Sequence, residues 1–336
     1  WKQVEALEQK QLPESAIKEL QKIYEHAKQE KNMPQMMKAH LTKASLSIDI
    51  TPDSLDRELS GLKTWVAEEK DPVYKAILNH LLGYYTLDTG KRDEAAIDAA
   101  IAYFRLSLQD KDLLSRKSAA DYRPMTVSKE LSGKYCGDNM YQLLARQAIS
   151  RLSGYFIVNP VLAGKIQTEI LSIYDGLIDF YQQQGMTDAR LLLMLDKLNY
   201  QGNDISRGGV NENLRLTDEQ VITLLKQWAE EFSASPLCGE VYCQLAERYD
   251  RMQDYTAKLH AAQTGLEKYP QSPSVNDLKE QVAEVFTPRL VVEIPFAYPA
   301  REVDLKVKYR NLTGLTVELY RMNLPVTSNI LKEEIT

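Results

Sequence analysis

Apolar residues recur with a period near 3.6 along the first 286 positions, which predicts amphipathic helices almost throughout. In 14–30, Ala16, Ile17, Leu20, Ile23, Tyr24 and Ala27 fall at offsets 0, 1, 4, 7, 8 and 11 and form one continuous stripe. Pro13 precedes them, where its missing N–H costs nothing. Thr51-Pro52 opens the next clear helix, carrying Leu55, Leu59, Leu62 and Val66. Further helices are expected over 73–88, 93–108, 138–153, 160–184, 187–199, 217–232, 238–250, 253–269 and 274–286. Thr217 followed by Gln220 has capping-box spacing at the start of one of them.

Paired helices with short links point to a repeat architecture. The clearest unit is CGEVYCQLAERYDRMQDYTAKLHAAQTGLEKYPQSP. Leu245, Ala246 and Tyr249 stripe its first helix, Tyr255, Leu259, Ala262 and Leu266 its second, and it stops at Tyr269-Pro270. Small residues where two helices cross, with an aromatic-Pro stop, resemble a tetratricopeptide repeat. Residues 14–47 and 73–108 are looser versions, so the expected fold is mainly α: a helical-hairpin, α-α superhelix with degenerate repeats. Two stretches interrupt it. Residues 109–137 are polar and irregular, and 200–216, YQGNDISRGGVNENLRL, is a Gly- and Asn-rich loop. Both are read as polar surface insertions, with a functional loop as the sharper alternative.

After Phe286 the period changes to 2. Val303, Leu305, Val307 and Tyr309 alternate with charged residues; Leu290, Val292 and Ile294 alternate before them, and Leu315, Val317 and Leu319 after. Asn311 to Gly314 supplies a turn, giving three antiparallel strands with one apolar face. That face must either pack on the last helices or begin a sandwich continuing beyond Thr336. A stop so soon after a strand favours the sandwich, so the chain divides into a helical domain, 1–286, and a truncated β segment, 287–336. The opening on Trp1, without Met or a signal-peptide pattern, likewise reads as cut from something longer.

Charge narrows the partners. The 47 acidic against 41 basic residues give a net charge of −6, with no local Lys/Arg cluster, which argues against nucleic acid and anionic lipid. No apolar run approaches the roughly 20 residues that cross a bilayer.

Candidate chemistry is sparse. Cys136, Cys238 and Cys243 have no ligand-like spacing, and Cys238 and Cys243 fall on different helical faces, so they should not bridge each other. The stretch PLCGEVYCQ differs at one position from Cys-Gly-Glu-Gln, the thioester-forming motif of complement-like proteins. A thioester needs the Gln carboxamide three residues after the Cys; Val241 has none, and Gln244 is wrongly spaced from both cysteines. An ordinary helix with buried cysteines is the reading preferred. His26, His40, His80 and His260 are too scattered for a metal site and are read as helix-surface or repeat-interface residues. Asn203, Asp204, Asn211, Glu212 and Asn213 lack the order of a calcium loop. No phosphate-binding glycine loop or nucleophile elbow occurs. Asn311-Leu312-Thr313 matches a glycosylation acceptor but spans an expected turn. Most of the 19 tyrosines, among them Tyr24, Tyr174 and Tyr181, lie on apolar helical faces and are assigned to packing. No catalytic, cofactor-binding or metal-ligating residue is nominated.

The opening WKQVEALEQKQLPESAIKELQKIYEHAKQEKN, the central NMYQLLARQAISRL and the terminal VEIPFAYPAREVDLKVKYRNLTGLTVELYRM together resemble the N-terminal helical region of alpha-2-macroglobulin-like proteins from Bacteroides and relatives, leading into a macroglobulin-type sandwich. The resemblance covers most of the chain by pattern, without a catalytic signature. It implies an exported protein, periplasmic or at the cell surface, that traps proteases. This chain would then be a non-enzymatic scaffold or docking module, needing no cofactor, whose partners are the remaining domains of its longer chain and proteases. The family's bait region and thioester lie far downstream, so neither is carried onto a position here. The alternative is a self-contained tetratricopeptide-like adaptor binding a peptide or partner protein; a third is a helical hydrolase with an unmarked carboxylate pair.

Overall fold

The structure is a computed structural model that describes residues 1–51, 54–89, 91–123, 138–202, 214–293 and 305–318. The N-terminal helices are α1 (Lys2–Gln9), α2 (Pro13–Gln29), α3 (Met33–Ile50), α4 (Ser54–Glu68), α5 (Pro72–Asp88), α6 (Glu94–Leu108) and the short α7 (Lys111–Ser115). After them come α8 (Met140–Ser153), α9 (Pro160–Gln183), α10 (Thr187–Gly202), α11 (Asp218–Glu231), α12 (Cys238–Arg251), α13 (Tyr255–Lys268) and α14 (Val275–Phe286). A two-stranded antiparallel sheet, β1 (Arg289–Glu293) and β2 (Lys306–Arg310), closes the described chain. The mainly helical array followed by a short β segment is the class the hydrophobic period predicts.

Local chemistry sets the helix starts. Asp71 accepts hydrogen bonds from the amides of Val73 and Tyr74, with Pro72 at the first helical position; Asn159 does the same for Val161 and Leu162 ahead of Pro160. Thr217 and Gln220 form the reciprocal capping box that their spacing predicts.

Among the described residues, four tight helix–helix turns share one geometry. After α1, α2, α9 and α12 a residue takes positive φ: Gln11 (55°), Lys31 (56°), Gly185 (67°) and Gln253 (60°). The following amide then bonds back five residues, Leu12 to Leu7, Asn32 to Ala27, Met186 to Tyr181 and Asp254 to Tyr249, at 2.8 to 3.0 Å. This is the Schellman closure, and it satisfies carbonyls that a helix end otherwise leaves unpaired.

Three apolar clusters of described residues fill the array. A small one joins Val4, Ala16, Leu20 and Ala39 across α1–α3. A large one runs from Met37 to Leu193, and a third from Leu191 to Leu278. Helix α10 serves both large clusters: Ala189 and Leu193 point to one, while Leu191, Leu195 and Leu198 point to the other.

Two expectations are corrected. The stretch 109–137 is not irregular at its start: α7 and a 3-10 turn (Ala119–Tyr122) bury Leu114, Ala119 and Tyr122, and Ser118 bridges to Asn139. The burial of those three side chains explains the order, which the polar composition around them hides. The expected third strand is also missing from residues 315–318, which carry no secondary structure, with Leu315 and Val317 exposed. Alternation alone does not make a strand where no neighbouring ladder receives it. Positions 124–137, about half of the first interruption, and 203–213, most of the second, lie outside the described residues, as do Ile294, Val303 and Leu319.

Candidate functional site

The stretch that nearly spells a thioester is the first turn of α12. Cys238 and Val241 are fully buried, and Val241 belongs to the third apolar cluster. Gly239 sits where the helix meets the loop after α13: a Cβ there would collide with Ser272 Cβ and Oγ, so no side chain fits without displacing that loop. Both described cysteines are free. Burial raises the Cys238 thiol above its usual range, and burial aided by Glu247, Glu240 and Asp277 pushes Cys243 up to about 12. Gln281 also donates to the Cys243 carbonyl oxygen at 3.3 Å. At both sulfurs burial disfavours the thiolate, which is the nucleophilic form. Cys136 lies outside the described residues.

The histidines do not converge. His26 and His260 are exposed on helix surfaces. His40 is half-buried with its ring edge-on to Trp65 (centroids 5.3 Å apart), and His80 is buried against Phe104. His80 thus belongs to an interior: it lies three residues after Ile77 and one before Leu81, on the buried stripe of α5. Among the described residues no three His, Cys, Asp or Glu side chains gather as metal ligands. The candidate calcium residues Asn203, Asp204, Asn211, Glu212 and Asn213 lie outside them. Tyr174 and Tyr181 are buried between helices, as their positions predict.

What the chain presents is surface. In the hairpin, Leu290 pairs with Tyr309 and Val292 with Val307, so four apolar side chains share one face. Leu290, Val292 and Tyr309 are exposed, Tyr309 by 68%. The hairpin is tied to the helices at its end: Arg310 Nη2 donates to the Glu284 carbonyl oxygen and Asn311 Nδ2 to that of Val285, both at 2.6 Å, and Arg310 lies over the Tyr255 ring. These contacts satisfy the last carbonyls of α14 and leave the apolar face open. They also give Asn311 a structural role in the turn where the glycosylation pattern falls.

Two of the grooves between helices are lined in part by apolar or aromatic side chains. One, of about 1140 Å³, lies between α6 and α9; its exposed Leu106 and Val161 are flanked by Arg105, which binds the buried Glu169 carboxylate at 2.6 Å, and by Lys165, which pairs with Glu94 and Asp98. The other, of about 460 Å³, lies among α2, α3 and α4 and is lined by Tyr24, Met33, Met36 and Trp65. Gly61 lines this second groove, and a Cβ added to it would meet nothing within 4 Å, so a larger side chain there could project into the groove.

No family model matches the chain, and no curated protein matches it either. Among the described residues, no helix is long and apolar enough to cross a membrane.

Proposed function

We propose that this chain is a non-catalytic scaffold and docking module of an exported alpha-2-macroglobulin-like, protease-trapping protein, working at the cell envelope. The observation that carries the reading is the hairpin. A two-stranded sheet with one apolar face is marginal in water by itself, and a second β layer over Leu290, Val292 and Tyr309 would remove that face from solvent. The tether through Arg310 and Asn311 fixes how such a sandwich would leave the helical array.

The test is the reading frame past Thr336. Sandwich-length β segments, with Cys-Gly-Glu-Gln much later, are the expected result; a stop codon shortly after Thr336 would overturn the proposal. A self-contained adaptor is the second reading, and the groove lined by Tyr24, Met33, Met36 and Trp65 favours it, since aromatic and Met side chains are enriched at binding surfaces. That early stop codon, together with saturable peptide binding lost on filling the groove at Gly61, would establish it. Screening of glycosidase and peptidase substrates is expected to give no turnover that a single carboxylate substitution abolishes.

A further inference from the structure

A cleft of about 610 Å³ separates α5 from α8, within the roughly 300–1,000 Å³ span of small-molecule sites. From α5 come Ile77, His80, Leu81 and Tyr84, spaced as one helical face. From α8 come Met140, Leu143 and Leu144, then Gln147, then Ser150 and Arg151. The α8 stripe therefore grades from apolar to polar along its helix, while the α5 stripe sets His80 among apolar and aromatic side chains. The polar end of α8 meets the end of α5, because Arg151 donates to the Tyr84 carbonyl oxygen and to the Asp88 carboxylate, with its guanidinium 4.0 Å from the Tyr84 ring centre. The α8 stripe from Met140 to Arg151 is about 16 Å long.

His80 lies at mid-length. It is 5% exposed, and its buried Nδ1 makes no hydrogen bond. Buried polar atoms are rarely left so, because the lost hydration is not returned. Burial also holds the imidazole neutral, pushing it down to about 4, so it offers a hydrogen bond and no charge. Among the described residues lining the cleft the one cation, Arg151, is already paired with Asp88. An anionic ligand would thus be desolvated without a free counter-charge.

We propose that this cleft binds an uncharged amphiphile, elongated or fused-ring, whose apolar body lies against Ile77, Leu143 and Leu144 and whose hydroxyl hydrogen-bonds the His80 imidazole. The graded α8 stripe and His80 orient it, and the paired Arg151 excludes its carboxylate analogues.

Calorimetric titration of the full chain with 2-naphthol, naphthalene and 2-naphthoate tests this. The expected result is saturable one-to-one binding of 2-naphthol, with naphthalene and 2-naphthoate each at least about fivefold weaker, the value of one lost hydrogen bond. Gln147→Trp, at an exposed position on the cleft edge, should leave the melting temperature unchanged and weaken 2-naphthol about tenfold or more. His80→Leu should bring 2-naphthol down to the affinity of naphthalene. If that variant does not fold, the preference of the unaltered chain for 2-naphthol over naphthalene decides the role of His80. Absent saturable binding, equal affinity for the naphthol and naphthalene, or tight binding to Gln147→Trp would each overturn the proposal.

Discussion

Single residues show where sequence reasoning reaches and where it stops. Val241 is enough to reject a thioester, since the carbonyl chemistry needs a carboxamide that valine lacks. The reason for its neighbour Gly239 is invisible in one dimension, because Ser272 lies 33 positions away and meets it only after α12 and α13 fold together. Gly239→Ala is expected to destabilise by about 1–3 kcal/mol in urea unfolding, the usual cost of overpacking. Adding Ser272→Gly should recover part of it, since Ser272 Cβ and Oγ are the atoms struck. His80 is legible as a stripe position but not as an unpartnered one, which depends on what α6 and α8 place around it. Its folded value, about 4, lies below the ordinary 6.5, so the unfolded chain takes up a proton first as pH falls. The contribution of neutral His80 is therefore intact above about pH 6.5 and is lost progressively toward pH 4, by up to roughly 3 kcal/mol. Urea midpoints at pH 7.5 and 4.5 should diverge more in the natural chain than in His80→Leu.

At the scale of elements, helix positions are readable because the 3.6 period and the Pro, Asp, Asn and Thr starts are local. The turns are harder to read. Of the four Schellman closures only one carries the expected glycine, Gly185; Gln11, Lys31 and Gln253 hold the same left-handed backbone without it. A side chain there costs about 1–2 kcal/mol, which tertiary packing of the hairpin overrides. Gln253→Gly should therefore stabilise the chain by about 0.5–1 kcal/mol, after the extra unfolded-state freedom of glycine is subtracted, and raise the melting temperature. The strand over 315–318 fails for the opposite reason: its alternation is local, but a strand's hydrogen-bond partners are not.

Over the whole molecule, each of the three tryptophans reports on a different interior. Trp1 packs on the small N-terminal cluster, Trp65 on the first large one and Trp228 on the second. Variants retaining one Trp each, with the others changed to Phe, should give coincident urea transitions for Trp65 and Trp228 and an earlier one for Trp1, whose cluster buries only four residues. Separate Trp65 and Trp228 midpoints would show two independent folding units. The expected coincidence rests on α10, which gives Ala189 and Leu193 to one interior and Leu191, Leu195 and Leu198 to the other. A wall shared in this way has a mechanical meaning. It cannot rotate or slide to relax strain on one side without shearing the close-packed contacts on the other. A pull on the hairpin tethered at Arg310 and Asn311 would be carried through α14, α12 and α11 to α10, then onward, as along a strut.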